Sequence, residues 1–300
     1  MELMTIFLYP MLLQTHNEPF DSPDYLHEVK LNGIRLIYTK DIKGNEKLYT
    51  RHRTEITSKF IEILQLPVPN DSVLDGELVC FQKTTKGIYT ENFSRIMQRF
   101  RLSNSVKIEN AVLTFPATYM VFDVLKWNSV PMVKKTLLER KRLLSSEFIE
   151  TDYVKLIQYC LYNGISLFKK VKEYEREGIV SKRLNSPYLV AKRASNREWL
   201  KIINWTIVDE AYIMGYRKKK FGLLTSRIDE WSGEARPLGI VEFGMSPEQK
   251  KAFYRVSTQL IIGEDKNFVY LEPVIRCKLK GRGFSDNGYL ITPIFVDFIL

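Results

Sequence analysis

Three short apolar runs, each interrupted by charge, constrain this chain more than anything else in it. Val73-Leu74-Asp75-Gly76-Glu77-Leu78-Val79 reads as a turn feeding a buried strand that carries Glu77. Tyr119 to Leu125 is a near-continuous apolar strand broken by Asp123, and Trp199-Leu200-Lys201-Ile202-Ile203 frames a lysine. Runs of this kind are strands covered on both faces, and a charge kept inside one needs a partner or a task. A fourth stretch, His27 to Arg35, carries Lys30 along a strand to a turn at Gly33 and leaves along Ile34 to Thr39. Apolar surroundings disfavour the charged form of a lone lysine, and a neutral amine is a nucleophile. Gly33, without a Cβ, lets the backbone come close to a phosphate-bearing ligand. Arg35, two residues on, is placed to meet negative charge. Alone, this nonapeptide reads by default as carrying a solvated surface lysine.

The rest of the chain supplies the frame. Ile34 to Thr39 and Lys47 to Arg51 join as a hairpin through Lys43-Gly44-Asn45, which leaves Arg51 at a strand end. A short helix follows with Phe60, Ile61 and Leu64 on its apolar face. Phe93, Ile96, Met97 and Phe100 recur at helical spacing and are expected in the core. A helix from about Val133 to Leu144 turns Leu137, Leu138 and Leu144 inward. Its basic residues Lys134, Lys135, Arg140, Lys141 and Arg142 are expected to face water. Glu177 to Lys182 passes from a helix into a strand. Beyond Asn204-Trp205 helices become rare, and short strands are expected at Ile207 to Met214, Leu223 to Ile228, Gly239 to Phe243 and Phe268 to Ile275. One helix interrupts them, with Ser246 as N-cap, Pro247 at its first position and Gln249 closing a capping box. Such strands with a single inserted helix suit an OB-type barrel.

A chain of 300 residues with 45% hydrophobic and 27% charged side chains is globular, not disordered. Its formal charge of +10 suits a polyanionic partner. Cys80, Cys160 and Cys277 are too few and too scattered for a disulfide framework or a zinc site, which points to a reducing compartment. The apolar start, Met1 to Leu13, carries Glu2 and Pro10, lacks a basic leader and is too short to span a membrane. A cytoplasmic protein with a buried N-terminal segment is expected.

In order along the chain stand Lys30-Leu31-Asn32-Gly33, Arg51, Asp75-Gly76-Glu77, Phe122-Asp123, Glu177 to Lys182, and Trp199-Leu200-Lys201. Taken together they resemble the ATP-dependent DNA ligases of the covalent nucleotidyltransferase superfamily. The nearest likeness is to small bacterial or phage-borne stand-alone ligases and to the ligase module of bacterial end-joining ligases. The resemblance implies an α+β fold. Residues 1–203 would form a nucleotidyltransferase (adenylation) domain of antiparallel sheets flanked by helices, and residues 204–300 an OB-fold β-barrel. It implies that Lys30 attacks the α-phosphate of ATP, releasing pyrophosphate and leaving a lysyl-adenylate. AMP then passes to the 5′-phosphate of a nick, and the adjacent 3′-hydroxyl displaces it to close the strand.

By the same likeness Phe122 stacks on adenine and Glu28 lies near the base edge. Glu77 holds the ribose or a metal, and Glu177 a metal or its water. Arg35 and Lys201 neutralise phosphoryl oxygens, and Lys182 and Arg193 are further candidates for phosphate contacts. Arg51 touches the nucleotide or the nicked strand. Two carboxylates plus phosphate suit magnesium or manganese. An ordinary lysine is almost wholly protonated at neutral pH, so the site must ease Lys30 toward its neutral form through a nearby cation or metal. Arg217-Lys218-Lys219-Lys220, expected in a loop of the second domain, either contacts DNA or is a solvated loop. A monomer acting on nicked double-stranded DNA, away from membranes and with end-joining proteins as candidate partners, follows from the resemblance.

Three departures from the family pattern stand out. Asn32 replaces an aspartate beside the nucleophile, and Ile203 replaces a second lysine after Trp199-Leu200-Lys201. The chain also ends at Leu300, where many relatives continue into a motif that orients pyrophosphate. Either adenylation is slow, or Lys278, Lys280 and Arg282 stand in. RNA ligases and GTP-using capping enzymes share the lysine motif, but the Trp199 strand and the Gly215-Tyr216-Arg217-Lys218 run favour DNA ligation. An inactive nick-binding clamp is the non-enzymatic alternative. An NAD-dependent ligase would need an extra N-terminal domain.

Overall fold

The computed structural model describes residues 7–83, 87–191, 197–229, 231–285 and 287–299. It divides into two compact units, Met1–Ile203 and Asn204–Leu300. The first contains strands β1 (Gln14–Thr15), β2 (Tyr25–Val29), β3 (Ile34–Lys40), β4 (Glu46–Thr50), β5 (Ser72–Val79), β6 (Phe81–Lys83), β7 (Tyr89–Glu91), β8 (Thr118–Trp127), β9 (Val130–Pro131), β10 (Val154–Leu156), β11 (Tyr159–Leu161), β12 (Gly178–Arg183) and β13 (Trp199–Ile203). Its helices are α1 (Phe93–Arg101), α2 (Ser105–Thr114), α3 (Leu137–Glu147) and α4 (Gly164–Glu173).

Among the described residues these strands build two main sheets, ordered β1-β13-β12-β2-β11 and β10-β8-β5-β3-β4. Pairing is antiparallel except at β1 with β13 and β10 with β8. β2, which ends one residue before Lys30, and β3 are consecutive in the chain but belong to different sheets. Lys30 to Gly33 is therefore the crossing between sheets, between the two strands that the sequence places on either side of the glycine. A Cβ on Gly33 would lie 2.2 Å from the Leu78 carbonyl oxygen and 2.8 Å from Val79 Cγ1. Gly33 is thus required for close passage over β5.

The two-residue period of β3 and β5 sorts side chains between two cores. Leu36, Tyr38, Leu74 and Leu78 face the side covered by α1, α3 and two 3₁₀ turns, Thr57–Lys59 and Ile61–Ile63. Ile37, Val73 and Val79 face the other sheet and meet Leu31, Phe122, Tyr188 and Trp199. The far face of the first sheet is covered by α4 through Phe168 and Val171 against Ile179 and Ile202.

Helix α3 begins later than the periodicity suggests, because Thr136 and Glu139 form a capping box. Arg140 and Lys141 are buried, contrary to the expectation of a solvated face, because carboxylates on β8 and β2 receive them. Lys134, Lys135 and Arg142 are exposed as expected. On α1 the buried residues are Ile96 and Arg99, whereas Phe93 is exposed. The fully buried Arg99 pairs with Glu62, and Phe100 is partly buried against the same core.

In the second unit β14 (Thr206–Arg217) is long and irregular, pairing with β15 (Leu223–Ile228), β18 (Phe268–Leu271) and β19 (Arg276–Gly281). β16 (Ala235–Val241) pairs β15, β17 (Ile261–Glu264) pairs β18, and β20 (Ile294–Ile299) pairs β19. A parallel bridge between Phe243 and Ile294 links the end of β16 to β20, giving a closed circuit of strands with the topology of an OB barrel. Helix α5 (Pro247–Ser257) is inserted after the third strand of that circuit and has the Ser246–Gln249 capping box. The strand expected over Phe268 to Ile275 ends at Leu271, and the next strand begins at Arg276. All three cysteines are free. No helix among the described residues is long and apolar enough to cross a membrane.

Candidate active site

A cavity between the two sheets of the first unit gathers side chains that are far apart in sequence. Glu28, Lys30, Arg35, Glu77, Phe122 and Lys182 all line it, together with Val180 and Trp199. Its volume is about 50 Å³.

One end is aromatic and apolar. Phe122 rises from the second sheet and Val180 from the first. The Arg35 guanidinium lies 4.5 Å from the Phe122 ring centre, and Lys182 Nζ lies 4.1 Å from it and 4.2 Å from that of Trp199. Arg35 is held by Asp75 through two bonds of 2.6 Å, and the Tyr188 hydroxyl donates to the same carboxylate at 2.6 Å. Arg35 thus reaches the cavity with its fork already engaged, as a rigid wall against Phe122. Glu28 stands at this end with both oxygens taken, Oε1 by Lys141 Nζ at 2.5 Å and Oε2 by Lys182 Nζ at 2.7 Å. Burial lowers the Lys182 ammonium to about 8, against the opposing pull of Glu28.

The other end carries the amine. Lys30 Nζ donates to Glu177 Oε2 at 2.8 Å, and the lysine keeps some solvent access while Glu177 is buried. The Glu177 turn is set by Gly178, whose φ of +152° and contact with the Ile202 carbonyl leave no room for a Cβ. Arg176 anchors it further, donating to Glu91 Oε1 at 3.1 Å and the Tyr89 carbonyl at 2.8 Å. Glu77, paired across the strands with Arg35, is pushed up to about 7. Burial is the main cause, offset by Lys30 and Arg35 and reinforced by Glu177 and Asp75.

The donor set decides which metal these carboxylates fit. No group of three or more His, Cys, Asp or Glu converges among the described residues, which does not suit a zinc site held wholly by protein. Glu77 and Glu177, close enough to feel each other's charge, match a magnesium or manganese ion. Magnesium takes one or two carboxylates and leaves its other positions to water and phosphate.

The remaining expected residues lie elsewhere. Lys201 does not line the cavity; it sits opposite Val180, which in turn sits opposite Glu28, so it shares their face of the sheet. Arg51 is exposed just beyond β4, its Nε donating to His52 Nε2 at 2.9 Å. In the second unit Arg217 ends β14 and pairs with Glu242, and Lys218 Nζ reaches Glu264 at 3.0 Å. Lys219 is exposed in the following loop. Arg193 and Met1 to Ile6 lie outside the described residues. Sequence reasoning missed Val180, which carries no chemical mark, and Lys141, whose helical charge run reads as solvated.

Residues 10–202 match the model of the ATP-dependent DNA ligase domain. The chain is 37% identical over 290 residues to the SPbeta prophage-derived DNA ligase-like protein LigB of Bacillus subtilis, covering 97% of this chain and 98% of that protein. It is 27% identical over 263 residues to a DNA ligase of Thermococcus onnurineus, covering 83% of this chain and 45% of that longer protein. It is 29% identical over 276 residues to the bifunctional non-homologous end joining protein LigD of Bacillus subtilis, covering 85% of this chain and 43% of that protein. Among solved structures it is similar to a Lig E DNA ligase, with a TM-score of 0.65 at 15% identity over 96% of this chain and 99% of that one. A mycobacterial DNA ligase D complexed with ATP gives 0.55 at 19% identity over 97% and 95%. At these identities the structural likeness speaks for the fold alone.

Proposed function

Because this chain belongs to the ATP-dependent DNA ligase family, we propose that it seals nicks in duplex DNA through an AMP carried on Lys30. The observation that carries this reading is a partly accessible lysine amine, 2.8 Å from Glu177 Oε2, at one end of a cavity whose other end is walled by Phe122 and Val180. In the first step Lys30 Nζ attacks the α-phosphorus of ATP. The P–N bond forms, the bond to the β-phosphate oxygen breaks, and pyrophosphate leaves. The amine must shed a proton, and Glu177 Oε2 is within the reach of a general base. Phe122 and Val180 sandwich the base, and Glu28 meets its edge. Glu77 and Glu177 would hold the divalent ion, which supplies neutralisation of phosphoryl charge when bound. The AMP then passes to the 5′-phosphate of the nick, and the 3′-hydroxyl displaces it.

Arg51, Arg217, Lys218 and Lys219 are proposed to grip the DNA backbone without reading sequence. Arg217 and Lys218 are already paired with Glu242 and Glu264, so a phosphate must compete with those carboxylates. The reading places the protein in the cytoplasm as a monomer, with end-joining proteins as candidate partners. It is tested by incubating the protein with magnesium and ATP labelled at the α-phosphate, then resolving it on a denaturing gel. A labelled band that chases into sealed nicked duplex is expected, and Lys30→Ala should abolish it. Label that persists in that variant, or that appears with GTP or NAD and not with ATP, would overturn the assignment.

A further inference from the structure

We propose that Lys141 is a positioning residue for nucleobase choice, holding the Glu28 carboxylate as a fixed hydrogen-bond acceptor that admits a 6-aminopurine and rejects a 6-oxopurine. The proposal rests on the nucleotide reading of the cavity given above. Lys141 does not line that cavity. It stands behind the wall on α3, only 4% exposed, with its Nζ 2.5 Å from Glu28 Oε1 and 5.2 Å from the ring centre of Tyr159. Tyr159 is the cross-strand neighbour of Glu28, so one aromatic face steadies the ammonium beside the carboxylate that it grips.

Charge balance does not explain this lysine. Glu28 already has the buried Lys182 at 2.7 Å on its other oxygen, and nearby Asp123 has the Arg140 guanidinium at 2.6 Å. Burying a second ammonium costs hydration and side-chain freedom. What it adds is geometry. Cations arriving from α3 and from β12 pin both ends of one carboxylate, so its plane cannot turn. The carboxylate so held lines the cavity together with Phe122 and its cross-strand neighbour Val180, the residues proposed to hold the base. An ionised carboxylate only accepts hydrogen bonds. An exocyclic amine donates to it, whereas a 6-oxo group sets lone pairs against lone pairs. Sites that read a polar group this way discriminate far more strongly than apolar pockets do.

The test measures formation of the labelled protein–nucleotide adduct with ATP and with inosine triphosphate in wild type, Lys141→Met, Lys141→Arg and Tyr159→Leu, with thermal melts run alongside. Wild type should strongly prefer ATP. Lys141→Met should lower the ATP-to-ITP ratio of kcat/KM by about tenfold or more, with the loss for ATP mainly in KM. Lys141→Arg should restore the ratio, and Tyr159→Leu should shift it in the same direction by less. Equal losses with both nucleotides, or a change in melting temperature alone, would reduce Lys141 to a structural role and overturn the proposal. A wild-type protein that forms no adduct with any triphosphate would instead sink the underlying nucleotide reading.

Discussion

Glu77→Gln should stabilise the first unit above neutral pH while impairing adduct formation. In the unfolded chain the Glu77 carboxyl releases its proton near 4.5; in the folded protein it does so at about 7, chiefly because it is buried. Between those values the folded state keeps a proton that the unfolded state has lost, so stability falls as pH rises. The contribution is fully present below 4.5 and fully lost above 7. At 1.36 kcal/mol per pH unit the whole interval is worth about 3.4 kcal/mol. About 1.4 kcal/mol of it has been lost by pH 5.5 and nearly all by pH 8. Glutamine has no such titration, and the cost of seating its amide is the same at both pH values. The stability gap between Glu77→Gln and wild type should therefore widen by about 2 kcal/mol from pH 5.5 to pH 8. For a unit of this size that is a relative rise of about 4–8 °C in melting temperature. Calorimetric scans of both proteins across that range, free of nucleotide and metal, read the gap directly. A gap that stays constant or closes as pH rises would refute the placement of Glu77 as a half-buried carboxylate desolvated in the cavity wall.

Other perturbations probe the rest of the frame. Asp123→Ala strands the buried Arg140 guanidinium and should cost about 3–5 kcal/mol in urea unfolding, and the double variant Asp123→Leu, Arg140→Met should recover most of it. Gly33→Ala forces a Cβ against the Leu78 carbonyl and should cost about 1–3 kcal/mol, with reduced adduct formation because Lys30 lies on the same crossing. Ser246→Ala removes one half of a capping box and should cost about 1 kcal/mol in the second unit, leaving the melting of the first unchanged. Chelation with EDTA should abolish the labelled adduct, and magnesium or manganese should restore it; an adduct that survives chelation would remove Glu77 and Glu177 from metal binding.

The strands that carry single charges were legible because apolar continuity over several residues has few other uses. β5, β8 and β13 lie within a few residues of where their sequences place them. The capping box of α5 was legible because its chemistry is local. Sheet membership was not. Alternation tells a strand which of its faces is apolar and nothing about which strand will pair with it, so nothing in the sequence of β2 and β3 shows that they belong to different sheets. Short elements such as β10, β11 and the β6–β7 hairpin carry too few residues to show any period. The burial of Arg140 and Lys141 was illegible for a related reason. A helix with this charge pattern is solvated by default, and the carboxylates that overrule the default arrive from β8 and β2, remote in the chain.

The same long-range pairing separates the lysine proposed as nucleophile from the others around it. Asp75 and Arg35, Asp123 and Arg140, and Glu28 with Lys141 and Lys182 are pairs in which every anion is sealed from water. Breaking any of them leaves a buried charge uncompensated, so these groups stay where they are. Lys30 differs. Its ammonium is held by one bond of 2.8 Å to Glu177, where Arg35 and Arg140 are each gripped through two bonds to one carboxylate and Glu28 by two cations. A group that must bond to phosphorus and later release it requires an attachment of that weaker kind. The sealed pairs hold the walls of the cavity in register, and the more weakly held Lys30 is the group to which the proposed chemistry falls. Among the lysines of this unit, the difference lies in what grips each ammonium and not in residue type, and that grip is set by strands and helices that meet only once the chain has folded.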